Sequence, residues 1–233
     1  LACSSAFVVN PSMFASATYD PVKDFEPIMV IGAAPNIFTV PANSPHKSMK
    51  DLIAWVKSNP GKLNWTTPGR GTTPYLNGEY MVQAAELKMV HVPFTGAGPA
   101  TQAAIAGQVD LYSANLGSVA PLVAGGQLRA VAMTSKARWH ELPDVPTLVE
   151  LGYKESYSDT FQGLWAPGGT PKEIVNRITT ELTKILAQPE LKEKFVKAGL
   201  PVLAEGPEKF KERIVREVAF YKNIVEKGNL KAK

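Results

Sequence analysis

Apolar and polar positions alternate along this chain in short blocks, most of them closed by Pro or Gly. Phe25 to Val30 and Asn36 to Val40 are β-rich apolar runs bounded by Pro27, Pro35 and Pro41, and each predicts a strand. Leu1 to Cys3 reads as the end of an earlier strand, and a short irregular or helical stretch runs from Asn10 towards Tyr19-Asp20-Pro21. From Ser48 the period changes. Met49, Leu52, Ile53 and Val56 recur at helical spacing behind a Ser cap with Asp51 three residues on, and Asn59-Pro60-Gly61 stops the helix.

Strand and helix then alternate. Leu63 to Thr66 leads through a loop to a helix from Pro74 to about Leu87, and Val90 to Val92 leads through a second loop to a helix from Pro99 to Ala106. Gly107 closes that helix, after which Val109 to Tyr112 and Leu128 to Met133 read as strands. Such order with short loops predicts a largely parallel sheet flanked by helices. Beyond Gly152, Phe161 to Ala166 predicts a strand, and Thr170-Pro171-Lys172-Glu173 reads as a capping box with Pro at the first helical position. Ile174, Val175, Ile178, Leu182, Ile185 and Leu186 form the apolar face that follows. Pro189 to Ala198 is a second C-terminal helix, and Pro207 opens a third with Phe210, Ile214, Val218, Tyr221 and Val225 on one stripe.

Composition narrows the class without changing this outline. The 233 residues, 45% of them hydrophobic, supply ample core, and no apolar run approaches the roughly 20 residues of a membrane span. A net charge of +4 comes from 25 basic and 21 acidic side chains, with the C-terminal lysines spread over helical patterns as solvated faces; no nucleic-acid partner is expected. The lone Cys3 excludes an internal disulfide, and His46, His91 and His140 lack the spacing of zinc ligands. Gly-x-Ser-x-Gly is missing, Gly69-x-Gly71 lacks the third glycine of a dinucleotide loop, and Gly169 stands where a P-loop needs Lys. The residues offer no enzymatic constellation.

Candidate chemistry lies in the two loops between strand and helix. The first reads Thr66-Thr67-Pro68-Gly69-Arg70-Gly71-Thr72-Thr73-Pro74 and the second Pro93-Phe94-Thr95-Gly96-Ala97-Gly98-Pro99. A helix start has orphan N–H donors and the positive end of the helix dipole, and Gly lets backbone approach a ligand, so each junction suits an anion. Gly69, Gly71, Gly96 and Gly98 supply the close approach, while Thr67, Thr72, Thr73 and Thr95 add hydroxyls. Arg70 either pairs with a carboxylate or stays solvated; Asn115 either points its amide at the ligand or caps the next helix; Phe161 is a cleft wall or ordinary core.

With those segments in place the chain resembles the tripartite tricarboxylate transporter substrate-binding proteins, the Bug family of periplasmic receptors. The matching stretches are Tyr19 to Phe25, the loop at 69 to 73, Val92-Pro93-Phe94-Thr95-Gly96, Gly107-Gln108-Val109-Asp110, Leu142 to Thr147, and Gly163 to Pro171. The resemblance implies a two-lobed α/β fold of the type II periplasmic-binding-protein kind, hinged by two crossover segments. Residues 1–36 with 159–233 would form lobe one and 37–158 lobe two, with the return crossover around Tyr157 to Gly163. It implies a receptor that captures a small organic carboxylate between the lobes and hands it to membrane permease subunits, with no catalysis and no cofactor. It also implies that a first strand, loop and helix precede Leu1, leaving lobe one incomplete here. Tyr75 stands where the family often has His, Ala114 where it often has Asp, and Arg70 where a small or polar residue is usual, so the ligand's identity stays open. The competing reading is a cytoplasmic effector-sensing domain of a transcription regulator, which shares a two-lobed architecture.

Overall fold

The computed structural model describes residues 1–156 and 158–232, so the expected crossover at Tyr157 lies outside the described residues at that position. The chain divides into two compact units, Leu1–Ala34 with Thr160–Lys233 and Pro35–Asp159.

In the second unit the strands β3 (Asn64–Thr67), β4 (Val90–Pro93) and β5 (Leu111–Asn115) are mutually parallel, with β3 in the middle. The second half of β2 (Phe25–Pro41) pairs antiparallel with β5 on one side and with β6 (Leu128–Met133) on the other, which gives the order β6-β2-β5-β3-β4. The sheet is therefore mixed; the expected parallel arrangement holds only for β4-β3-β5. The strand–helix repeat at 63–115 dictates those three, but β2 enters from outside the repeat and nothing forces it to run with them. β5 is buried along Leu111–Ala114, as a strand covered on both faces must be. Helices α2 (Met49–Ser58), α3 (Thr73–Ala84), α4 (Ala97–Ile105) and α5 (Leu116–Ala124) complete the unit. Ser48 caps α2 as its spacing predicts, its hydroxyl accepting the Asp51 N–H at 3.1 Å. Ile37, Tyr112, Ala114, Leu116, Val119 and Met133 lie in the core between sheet and helices.

β2 itself departs from expectation. It is one strand of 17 residues that passes through Pro27 and Pro35, not two strands stopped by them. Pro35 is tolerated because the strand changes partners there: Val30 and Gly32 pair with β8 (Val202–Glu205), whereas Asn36 onwards pairs with β5. A Pro at such a changeover disturbs less than one inside a single continuous ladder. Just beyond it, the Asn36 N–H donates to the buried Thr134 hydroxyl at 2.9 Å, and that hydroxyl donates to Ser158 O at 2.6 Å. One side chain thus ties together both chain segments that enter this unit.

The first unit contains β1 (Ala2–Cys3), β7 (Asp159–Pro167), the first half of β2 and β8, with β1 and β8 antiparallel to their neighbours. A π-helical turn (Ser5–Val9) runs into α1 (Asn10–Met13), and α6 (Lys172–Leu186), α7 (Pro189–Lys197) and α8 (Pro207–Gly228) follow β7. Two expectations fail locally. The Thr170 capping box does not form, because the Thr170 hydroxyl donates to Pro167 O at 2.7 Å and closes the preceding turn instead. On α6 only Val175 and Leu186 are buried, while Ile174 and Ile185 are 45% and 46% exposed. The stripe on α8 is as expected, but it also buries Arg213 and Glu217. The Ser4 hydroxyl accepts the Phe161 N–H at 3.2 Å, so the first residues of the chain meet β7 in this unit.

Candidate ligand-binding edge

The C-terminal ends of β4, β3 and β5 each run directly into a helix start, α4, α3 and α5 respectively. Open α/β sheets bind ligands at that edge, where several helix N-termini converge. Ten of the eleven residues expected to form a site lie on this edge, and Phe161 does not.

Around the first loop the glycines are required by conformation: Gly69 has φ +154° and Gly71 φ +80°. Thr67, buried at the end of β3, accepts the Gly69 N–H at 3.3 Å and shares a 3.2 Å bond with His91 Nε2. Thr72 is the cap of α3: its Oγ1 accepts the Tyr75 N–H at 3.3 Å and donates to Gly69 O at 2.7 Å. The Thr72 hydroxyl proton is therefore spent inside the loop, which corrects the expectation that it adds a donor for a ligand. Thr73 is buried as the first residue of α3, and Arg70 is exposed at the loop tip.

The second loop differs. Gly96, φ +109°, stands at the cap position of α4, which has no side-chain cap, and Thr95, Gly96 and Gly98 are all exposed. The Gly96 N–H donates to Pro68 O at 2.7 Å, joining the two loops. At the third junction Asn115 occupies the cap position of α5, but its side chain makes no cap bond; Nδ2 donates to Asn36 Oδ1 at 2.9 Å. Of the two roles open to Asn115, helix capping is not adopted. Asn36 itself is a member of this edge that sequence reading missed, since it sits inside an apolar run that reads only as strand.

Behind the first loop an aromatic cluster sets the electrostatics. Trp65 and Tyr75 are stacked at 6.0 Å, and His91 lies 4.6 Å from Trp65 and 4.9 Å from Tyr75. The Arg70 guanidinium carbon is 5.9 Å from the Tyr75 ring centroid. Burial, reinforced by the Arg70 charge, lowers His91 to about 4, so the imidazole is neutral at pH 7. Burial, with the Glu79 carboxylate adding to it, pushes the Tyr75 hydroxyl up to about 12. Glu79 is raised by burial against the opposing pull of Tyr75 and Arg70. Of these inward groups Tyr75 stands out in the sequence only as a departure from the family's usual His, and His91 only as a potential metal ligand.

Phe161 belongs to the core of the first unit. It is fully buried, 5.6 Å edge-on from Phe210, with the Arg213 guanidinium 5.6 Å from its ring. Of its two readings the structure assigns core, because β7 alternates and places 161 on the inward face. That unit also carries a surface depression of about 270 Å³ lined by Tyr19, Asp20, Lys222, Glu226 and Lys231, none of them an expected site residue. Among the described residues no group of three His, Cys, Asp or Glu side chains could hold a metal ion, and no helix is long and apolar enough to cross a membrane.

A mixed sheet whose parallel strands end in converging helix starts, in a chain that passes twice between two α/β units, is the type II periplasmic-binding-protein fold. Within that class, the chain belongs to the tripartite tricarboxylate transporter family receptors, whose family model matches residues 1–230. These are solute receptors and not enzymes. A curated relative from Cupriavidus necator, the UPF0065 protein in the gbd 5′ region, is 32% identical over 212 residues, covering 91% of this chain and 64% of its own. The chain spans 68%, 64% and 61% of the length of three such relatives. Among solved structures it is similar to R. palustris Rpa4515 with adipate, at 27% identity and TM-score 0.83, covering 97% of this chain and 75% of that one. It is also similar to MatC from Rhodopseudomonas palustris with bound malate, at 25% identity and TM-score 0.81, covering 96% and 77%.

Proposed function

We propose that this protein is an extracytoplasmic receptor that captures a small organic carboxylate on the strand-end edge of residues 35–159 and delivers it to the membrane permease of a tripartite tricarboxylate-type transporter. The observation that carries the reading is the junction of the two Gly/Thr loops through the Gly96 N–H and Pro68 O, which brings the starts of α3 and α4 to one edge. Backbone N–H groups at helix starts hold an anion without a large cluster of charges. Thr67, Gly69, Arg70, Gly71, Thr72 and Thr73, with Thr95, Gly96, Gly98 and Asn115, form the edge, Thr67 and Thr72 serving to shape the loop. Adipate and malate in the two related structures support a carboxylate ligand, and the family's name supports a permease partner and a periplasmic setting. Family membership lends nothing to the regulator alternative.

Thermal melting of the full-length protein against a panel of mono-, di- and tricarboxylates tests this. A ligand at 100 times its Kd adds about 2.7 kcal/mol of stability, a Tm rise of roughly 5–11 °C for a protein of this size. No shift with any acid, confirmed by calorimetry, refutes the reading.

A further inference from the structure

At the opposite end of the same sheet from the strand-end edge, residues 35–159 carry a hollow of about 300 Å³ that the receptor reading does not use. Its place follows from the pairing. β2 meets β5 at Asn36 and Asn115, on the edge, and meets the start of β6 five positions later, at Pro41 and Leu128. Five residues of strand span roughly 17 Å, so the two places are separate. Ala42, Gly126 and Ala130 are too small to fill the hollow, and Val123, Leu128 and Val145 complete its apolar walls. Leu128 and Val145 belong to the core of the unit, so that side is firmly held. Gly126, at φ +67° in the turn after α5, leaves its rim bare.

Arg129 is the one charged residue of the lining. It is half-buried, and its guanidinium is fixed against the Ala42 wall: Nη2 donates to Ala42 O at 3.1 Å and Nη1 to Ser44 O at 3.4 Å. Those two bonds end on neutral carbonyls, and among the described residues no carboxylate pairs with this arginine. A guanidinium has five N–H donors, so the fork keeps hydrogens to give. A cation drawn part-way out of water with no counter-charge attracts an anion.

We infer that this hollow is a second binding site, one that takes a small monoanion with an apolar body. The carboxylate meets Arg129, and the hydrocarbon displaces water from Ala42, Leu128 and Ala130. Its volume stands at the lower end for small-molecule sites, about 300–1,000 Å³, which likewise combine apolar walls with few polar groups. A dianion gains nothing more here, because the walls offer its second charge no partner. The C-terminal end of α5 opposes an anion through its dipole, but the N–H groups of Gly125, Gly126 and Gln127 already donate to its last carbonyls. Recognition therefore rests on Arg129.

Benzoate titrated into the isotope-labelled protein, with backbone amide shifts followed by NMR, tests this. Saturable shifts are expected at Gly126, Leu128, Arg129 and Ala130, apart from any at Gly69 to Thr73 and Gly96, which would report the strand-end edge. Benzyl alcohol, the same body without the charge, should bind here at least about 10-fold more weakly, and Arg129→Gln should weaken benzoate about 10- to 100-fold, the size of a lost charge-assisted hydrogen bond. Ala42→Trp, at an exposed position, fills the hollow and should abolish these shifts in a protein that still melts cooperatively. Benzoate that moves only the edge amides, or shifts at 126–130 that are undiminished in Arg129→Gln or in Ala42→Trp, overturns the inference and leaves the receptor reading intact. Carboxylates that never move the edge, while benzoate still moves 126–130, refute the receptor reading and leave this site standing.

Discussion

Gly78 lies inside α3 at a place where the usual rule for helix glycines reverses. Gly→Ala in a helix interior ordinarily stabilises by about 1 kcal/mol through backbone entropy and propensity. Here a Cβ built on Gly78 would stand 2.0, 2.5 and 2.9 Å from three carbons of the Trp65 indole. Carbon contacts settle near 3.5–4.0 Å, so the ring must withdraw by roughly 1.5 Å. It has nowhere to go: Trp65 is 1% exposed and is packed against Tyr75 and His91. Overpacking of this severity costs about 3 kcal/mol, which outweighs the propensity gain and leaves Gly78→Ala less stable by about 2 kcal/mol. Tm should fall by roughly 4–8 °C, and urea unfolding followed by circular dichroism should show a lower midpoint. Gly98→Ala is the internal control, because a Cβ there meets nothing within 4 Å and the backbone is helical; it should be neutral or slightly stabilising. The reasoning is refuted if Gly78→Ala melts at or above the parent, or if the two variants behave alike.

Two further outcomes follow from buried polar groups. The lowered His91 means that the unfolded chain takes up a proton below about 6.5 whereas the native state holds off until about 4, so this residue makes stability fall as pH drops through that window. Glu79 acts with the opposite sign, since its raised carboxyl favours the native state at low pH and loses that contribution as pH rises through its folded value. His91→Asn should therefore lessen the loss of stability between pH 6.5 and 4, and parallel denaturation curves for parent and variant would contradict this. In the first unit Arg213, 4% exposed, binds both oxygens of Glu205 at 2.7 and 2.9 Å and Glu217 at 3.3 Å. Arg213→Ala leaves the 1% exposed Glu217 with Arg216 Nη2 at 3.5 Å as its remaining arginine contact and should cost about 1.5–3 kcal/mol; a loss under about 1 kcal/mol by chemical denaturation would show that the pair is not what holds α8 in place.

Local punctuation was the legible part of this fold. Ser48 with Asp51, the glycines of the two loops and the strand at Leu128–Met133 are each determined by neighbours within a few residues, and the structure has them where the pattern puts them. Non-local circumstances were not legible. Pro35 looks like a strand breaker until one knows that β2 changes partners there. Thr170 looks like a cap until Pro167 O competes for its hydroxyl. At the candidate site the anion-suited backbone was readable from Gly, Thr and Pro order, but the set of side chains behind it was not. Trp65, Tyr75, Glu79 and His91 come from two strands and a helix, and only the parallel register of Trp65 with His91 assembles them. Asn36 likewise becomes part of the edge only through its bond to Asn115, 79 positions away.

The joining of the chain's first residues to β7 at Ser4 and Phe161 governs how this molecule must fold. Residues 35–159 form a contiguous stretch whose most distant strand pairing joins Ile37 to Met133, whereas the first unit cannot complete its sheet until a segment more than 150 residues downstream of its start has been made. Contacts of such separation are slow to form because loop closure must precede any reward. The strand-end edge of residues 35–159 can thus mature while the first 34 residues still wait for their partners, an interval in which β1 and the start of β2 are the part of the chain most in need of protection.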